Sequence, residues 1–545
     1  MRILTASDRA LLVEADDLEE AMRLNLAWEA VPGIVERIPG ARTVLVRFDP
    51  RRVSAADLAQ TLAATQVDTA PLSDTGEVVI PVRYDGEDLD EAASLLGISA
   101  EELVNRHLAA DWRVAFAGFA PGFGYVVSGD PLFDVPRRSS PRTRVSTGSV
   151  ALAGRFTGVY PRESPGGWQL IGRTDAVMWD IDRDPPALLS PGTAVRFERV
   201  RADALVGAGR VAATAPQDRN GDDPAHARRA VERLAVVGTG GLGFGAAGAA
   251  GAVEVVRPSL QLLVQDAGRP GFAALGVSAS GVADRRAMRD ANRAVGNAAT
   301  AAVLESVGGA VLRFHGGGVA VVTGAIGALT LTGVEGVVRP VVHGEPFATV
   351  DGDELSLGQP DRGLRYVIGV RGGVEAASAL GSRARDTLAD LGPEPLTAGA
   401  VLAIGHEAPY PVEPEAVPRD LPASGDLVEL DITLGPRDEW FTSDALEVLT
   451  THEWTVTPRS DRVGIRLRGD VPLERSVGGE LPSEGAVTGA IQVPPDGQPV
   501  LFLADHPLTG GYPIIGALTD GSLDLAGQLP PGVRLRFALR VPSDG

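Results

Sequence analysis

The sequence predicts a mainly β protein with α+β character: a small N-terminal α/β domain followed by β-barrel modules. Three observations carry this. Residues 1–75 place helical spacing between short strands, the chain beyond Val114 breaks into short β-rich runs punctuated by Gly and Pro, and a pattern from the first half returns near the C-terminus. With 545 residues, at roughly 100–200 per domain, one compact core is excluded.

In chain order, Ala10 to Glu14 and Thr43 to Phe48 read as strands, and Leu18 to Glu29 and Ala55 to Ala64 as helices, the second capped by Ser54. A turn-rich break, Leu72 to Gly76, closes this domain. A second domain, 76–203, opens with a strand at Val78 to Val82 and helices at Leu89 to Leu96 and Ala100 to Leu108, the latter capped by Ser99. Residues 204–253 are Ala/Gly-rich around a polar patch, Gln217 to Arg229, and read as a linker. They contain Gly238-Thr239-Gly240-Gly241-Leu242-Gly243, a formal dinucleotide fingerprint, but neither a following helix nor an acidic residue about 20 positions on supports it. Two β-rich regions, 254–420 and 421–545, complete the chain, with one helical interval at Asp284 to Val295. The uncharged stretches Leu234 to Val253 and Phe314 to Val334 are too glycine-rich and too strand-like, respectively, for membrane spans.

The recurring pattern has three landmarks in one order. Gly148-Ser149-Val150-Ala151-Leu152 parallels Gly489-Ala490-Ile491-Gln492-Val493. Gly166-Gly167-Trp168-Gln169-Leu170-Ile171-Gly172 parallels Gly510-Gly511-Tyr512-Pro513-Ile514-Ile515-Gly516, and Pro191-Gly192 and Pro531-Gly532 each precede an Arg-Phe strand. Two copies of one β-module explain this, with Gly-Gly for a tight turn and an aromatic covering the interior.

Composition removes several function classes. Asp and Glu number 71 against 50 basic residues, a net charge of −21 that repels polyanions, so neither nucleic acid nor an anionic membrane is expected as a partner. Without cysteine there is no disulfide, thiolate nucleophile or Cys-ligated metal. Every basic residue is arginine, which removes a P-loop lysine, a Schiff-base lysine and any lysine carrying covalent biotin. Phosphate or carboxylate binding must therefore use arginine and backbone N–H groups. Met1 to Asp8 lacks the apolar core of a signal peptide, and a cytoplasmic location is expected.

Residues 107–175 carry Ala117-Gly118-Phe119-Ala120-Pro121-Gly122-Phe123-Gly124-Tyr125, Pro141-Arg142, Gly158-Val159-Tyr160-Pro161, Ser164-Pro165-Gly166-Gly167-Trp168 and Ile171-Gly172-Arg173-Thr174. This segment resembles the KipI family, also called allophanate hydrolase subunit 1 or the 5-oxoprolinase B subunit. The second half carries Val264-Gln265-Asp266-Ala267-Gly268-Arg269-Pro270-Gly271, Gly281-Val282-Ala283-Asp284, Ala291-Asn292, Gly296-Asn297 and Glu305. It continues with Ser460-Asp461-Arg462-Val463-Gly464-Ile465-Arg466, Ser483-Glu484-Gly485 and Thr509-Gly510-Gly511-Tyr512-Pro513. These are similar to the KipA family, allophanate hydrolase subunit 2 or the 5-oxoprolinase C subunit, so the whole resembles a fusion of the 5-oxoprolinase B and C subunits.

The resemblance implies cyclophilin-like barrels and a carboxyltransferase-type domain. It implies ATP- and Mg2+-dependent opening of the 5-oxoproline lactam to glutamate, with a separate A component of LamB/YcsF type. Two alternatives stand beside it: a biotin-dependent carboxyltransferase acting on urea or a related amide, and a KipI-like regulator of a sensor histidine kinase. Ser146-Thr147, Ala384 and His506-Pro507-Leu508 depart from the family pattern, and the last change bears on substrate identity. A homo-oligomer is left open.

The candidate catalytic carboxylates, as bases or Mg2+ ligands, are Asp266, Asp284, Glu305, Asp461 and Glu484, with Asp505 beside them in a binding role. Arg173, Arg269, Arg462 and Arg466 are candidates for phosphate or the substrate carboxylate, and Asn292, Asn297 and Gln492 for the amide edge. Phe119, Phe123, Gly166, Gly167, Trp168 and Tyr512 would offer flat surfaces and close backbone approach to a small planar molecule, and His107 stands just upstream. The competing reading makes these turn builders, ion-pair partners and barrel plugs. The pocket is expected between the first barrel, near Gly166 to Trp168, and the C-terminal half.

Overall fold

The computed structural model describes all residues except 68–75, 139, 141, 201–250, 414–418, 480 and 541–545. The linker patch and the Gly238 to Gly243 motif thus lie outside the described residues. Strand Gly251–Arg257 already begins within the stretch 204–253.

The N-terminal domain is a four-stranded antiparallel sheet in the order Arg2–Ser7, Ala10–Glu14, Thr43–Phe48, Ile34–Pro39, with helices Leu18–Ala27 and Ala55–Ala64. Its two central strands, ALLVE and TVLVRF, are apolar without alternation, the pattern of strands buried on both faces. Leu11, Val13, Val44 and Val46 pack with the helices and with Phe116, Tyr125, Ala151 and Trp168 of the next domain. Ala10, Leu12 and Leu45 face the other way, onto Ala490, Phe502, Ile514 and Ala517 near the C-terminus. The sheet is therefore a wedge between two larger bodies.

Those bodies are two barrels of one topology. Barrel 1 runs Gln169–Arg173, Ser149–Ala153, Phe156–Val159, Gly124–Val127, Trp112–Ala117, Ala194–Arg199, Glu77–Val82, and a bridge between Arg83 and Arg173 joins its two ends. Barrel 2 is closed in the matching order: Ile514–Leu518, Ala490–Gln492, Val500–Phe502, Gly464–Arg468, Trp454–Val456, Arg534–Leu539, Leu427–Leu434. In each, the first and last strands of the module pair in parallel. Even a detail repeats: the Trp112 indole donates to the His107 carbonyl at 2.8 Å, and that of Trp454 to the Leu449 carbonyl at 3.1 Å.

Between the barrels in sequence, residues 251–404 form a nine-stranded sheet dominated by two long strands, Gly318–Thr332 and Glu354–Val370. The stretch Phe314 to Val334 is thus strand, and among the described residues no helix is long and apolar enough to cross a membrane. The helix predicted at Asp284 to Val295 is Arg285–Ala294, with the Asp284 side chain accepting from the Ala287 N–H at 2.9 Å. The C-terminal half is not limited to that one helix, since Ser443–Thr451 and Asp520–Ala526 are helical as well. Their short length, Thr and Val content in the first and Gly521 in the second weaken the periodic signal, and packing on barrel 2 supplies the stability.

Candidate functional site

The barrels meet at a cleft of about 300 Å3, and the two echoed Gly-Gly-aromatic turns line it from opposite sides. Barrel 1 contributes Phe119, Phe123, Tyr125, Tyr160 and Gly166 to Trp168; barrel 2 contributes Gln492, Pro507 and Thr509 to Tyr512. The glycines let neighbouring side chains approach the backbone closely. A Cβ on Gly166 would lie 2.2 Å from the Tyr160 hydroxyl oxygen, and one on Gly511 2.3 Å from Nη1 of Arg137. Phe119 holds a left-handed φ of +62°, a conformation that costs a residue with a Cβ about 1–2 kcal/mol. Its N–H donates to Thr509 Oγ1 at 3.0 Å, and the same oxygen lies 3.3 Å from the Tyr125 hydroxyl, so one threonine of barrel 2 fixes the barrel 1 loop.

Phe123 is 1% exposed, with Phe119, Tyr125, Tyr160 and Trp168 packed edge-on around it at 5.2–5.4 Å between ring centres. It is the floor beneath the platform and not the platform itself. Burial pushes the Tyr160 phenol upward, so it stays protonated as a donor. Arg137 and Arg138, which sequence reasoning does not single out, bring positive charge to the cleft. Arg137 donates to Ser483 Oγ at 3.0 Å, and Arg138 to Asp88 at 2.6 Å. Tyr160 and Thr509 stand inside the quoted motifs, whereas Arg137-Arg138 lies in an irregular stretch with no pattern to mark it.

The remaining candidates do not reach this cleft. Arg462 is fully buried, donating to Asp505 at 2.9 and 3.0 Å, to Glu305 and to the Gly281 carbonyl. Asp505 also accepts from Ser280 at 2.6 Å and from the Thr387 N–H and hydroxyl. Burial alone would raise its carboxyl, but the Arg462 charge and these hydrogen bonds outweigh that and hold it low. The cluster pins the loop that continues into Pro507 and Thr509. Asp266 accepts from Ser382 and from the Gly268 and Arg383 N–H groups, while Arg269 donates to the Ala379 and Ala384 carbonyls. Asp284 binds Arg419 and Gln528 besides its cap, and Asn292 and Asn297 bond each other and nearby carbonyls. Glu484 pairs with Arg437, Asp461 closes a turn onto the Val463 and Gly464 N–H groups, exposed Arg173 pairs with Asp85, and the Arg466 side chain is exposed. His107 sits in the barrel 1 core between Tyr84 and Thr157, and burial pushes its imidazole down to about 3.

These carboxylates are engaged by their own neighbours, Glu305 and Asp505 sharing the Arg462 guanidinium, and among the described residues no group of three or more His, Asp or Glu converges as metal ligands. They do not fit a Mg2+ site, and no step is assigned to Mg2+ on this chain.

The comparisons with known proteins agree with the two-part reading. The model for carboxyltransferase domain subdomains C and D matches residues 1–189, and that for subdomains A and B matches 275–539. The chain is 39% identical over 171 residues to the B subunit of 5-oxoprolinase from Escherichia coli O157:H7, covering 31% of this chain and 78% of that protein. It is 30% identical over 289 residues to the C subunit of 5-oxoprolinase from Escherichia coli strain K12, covering 52% of this chain and 90% of that protein. The chain belongs to the carboxyltransferase-domain family of the 5-oxoprolinase B and C subunits. A urea amidolyase from Lachancea kluyveri is 32% identical over 311 residues, but the match spans 17% of that larger protein. The crystal structure of TTHA0988 superimposes with a TM-score of 0.77 at 33% identity, covering 97% of this chain and 99% of that one, so the fused arrangement also occurs there. The cleft described above is where the B-like part and the C-like part of this family member face each other.

Proposed function

We propose that this chain is the fused B and C component of a cytoplasmic, ATP-dependent 5-oxoprolinase that opens the lactam of 5-oxoproline to L-glutamate together with a separate A component. The observation that carries this reading is the inter-barrel cleft, whose walls come from both family halves. Its aromatic walls suit a flat five-membered ring, Arg137 and Arg138 suit a carboxylate, and Gln492 suits the amide edge. An unstrained amide resists water, so ATP would supply the activation by phosphorylation. The residues of this chain would bind and orient the ring and exclude water from it.

The test is release of glutamate and phosphate from 5-oxoproline and ATP, with and without the A component. Absence of 5-oxoproline-dependent ATP consumption in both conditions rejects the proposal. The urea amidolyase match favours a second reading, transfer of a carboxyl group from carboxybiotin to an amide. The carrier would then be another protein, because this chain has no lysine. A rise in melting temperature with free biotin supports that reading, and no rise counts against it.

A further inference from the structure

Among the described residues, four other than glycine hold a left-handed backbone: Phe119, Ser280, Leu380 and Asp390. Of these, Phe119 lines the inter-barrel cleft. Phenylalanine gains nothing from that conformation by itself. It has neither the freedom of glycine nor the short polar side chain with which Asn and Asp offset part of the cost. Something outside residue 119 must therefore hold it there.

Two groups do, and both belong to the C-like half. The loop Gly118 to Phe123 closes on itself, the Gly118 N–H donating to the Phe123 carbonyl at 3.1 Å and the Phe123 N–H to the Ala120 carbonyl at 3.0 Å. It is anchored outward by the Phe119 N–H on Thr509 Oγ1 at 3.0 Å and by the Gly122 N–H on the Leu275 carbonyl at 3.1 Å. Leu275 offers a backbone group that any residue would supply, whereas the other anchor needs a hydroxyl at position 509. Thr509 is buried and seats against Gly118, where a Cβ would come within 2.7 Å of its Oγ1 and its Cγ2. The half-buried Phe119 ring stands edge-on to Phe123 and Tyr160, at 5.4 and 6.3 Å between ring centres, so it covers the packed floor of the cleft.

We infer that Thr509 is a positioning residue for ligand binding: its hydroxyl holds the Phe119 backbone left-handed and so presents the Phe119 ring as the surface on which a planar amide lies. The inference rests on the reading of the cleft as the lactam site. It adds that neither half presents this surface alone, because the ring comes from the B-like half and the hydroxyl that turns it comes from the C-like half.

The experiment is calorimetric titration of 5-oxoproline into the full chain, alone and with the A component. Thr509→Val keeps the side-chain shape and removes the hydroxyl, and should weaken binding roughly tenfold, the effect of one lost hydrogen bond. Thr509→Ser keeps the hydroxyl and should bind within about twofold of the wild type. Phe119→Gly takes the left-handed backbone without cost and removes only the ring, so it too should bind roughly tenfold more weakly. In the Phe119→Gly background, Thr509→Val should add no further loss, since the hydroxyl acts through the ring. Melting curves confirm that each variant is folded, and Thr509→Ala takes the place of Thr509→Val if the latter is not. Losses that add in the double variant, unchanged affinity in either folded single variant, or failure of Thr509→Ser to bind as the wild type does would overturn the inference and leave the reading of the cleft standing. No 5-oxoproline binding by the wild type in either condition overturns both.

Discussion

At the scale of single residues, burial divides structural roles from candidate binding roles, and the variants separate accordingly. Phe123→Ala removes a fully packed ring and should cost about 3–5 kcal/mol of stability, read from denaturant melts. Asp505→Asn should cost about 3–5 kcal/mol as well, because it strips the buried Arg462 of its bidentate partner. His107 makes the acid side of the stability curve steep. Its folded-state pKa, about 3, lies below the usual 6.5, so below pH 6.5 the unfolded chain takes up a proton that the folded chain does not. Stability present at neutral pH is therefore lost as pH falls from 6.5 toward 3, by about 1.4 kcal/mol per pH unit from this group. His506, held down to about 4 by burial, adds to the same limb. His107→Leu, the residue barrel 2 has at the matching position 449, should flatten this slope in melting temperature against pH.

At the scale of elements, the sequence makes legible what is local and repeated. The strand Ala10–Glu14, the helix Ala55–Ala64 and the Gly-Gly-aromatic turns follow from periodicity, caps and glycine, so they can be read directly. The edge strands Arg2–Ser7 and Ile34–Pro39 cannot, because they are only partly buried and carry charges where alternation would be sought. The site is half legible for a related reason. Motif residues that shape the backbone are visible, but an arginine that binds a ligand and one that binds Asp505 look alike until their neighbours are known. The two copies of the module also allow a matched experiment. Gly148 and Gly489 share a left-handed φ, +78° and +88°, but a Cβ on Gly148 would meet the Thr174 carbonyl oxygen at 2.2 Å, whereas one on Gly489 meets a Leu523 methyl, the far end of a side chain that can turn aside, at 2.7 Å. Both alanine variants carry the backbone cost of about 1–2 kcal/mol, and Gly148→Ala should lose measurably more in thermal melts.

At the scale of the whole molecule, the N-terminal wedge connects the parts. Its sheet belongs by chain to the first half yet buries one face against barrel 2. Expressed as two polypeptides, 1–200 and 251–545, the halves should co-purify, and 251–545 alone should aggregate through the exposed face around Ala490, Phe502 and Ile514. Soluble, monomeric 251–545 would show that this face is not sealed by the wedge. The same sheet has a consequence for supply inside a cell. Whichever half is made in excess is left with a bare apolar surface and no mate to cover it, so separate production demands matched dosage, while a single reading frame delivers the stoichiometry with every copy translated.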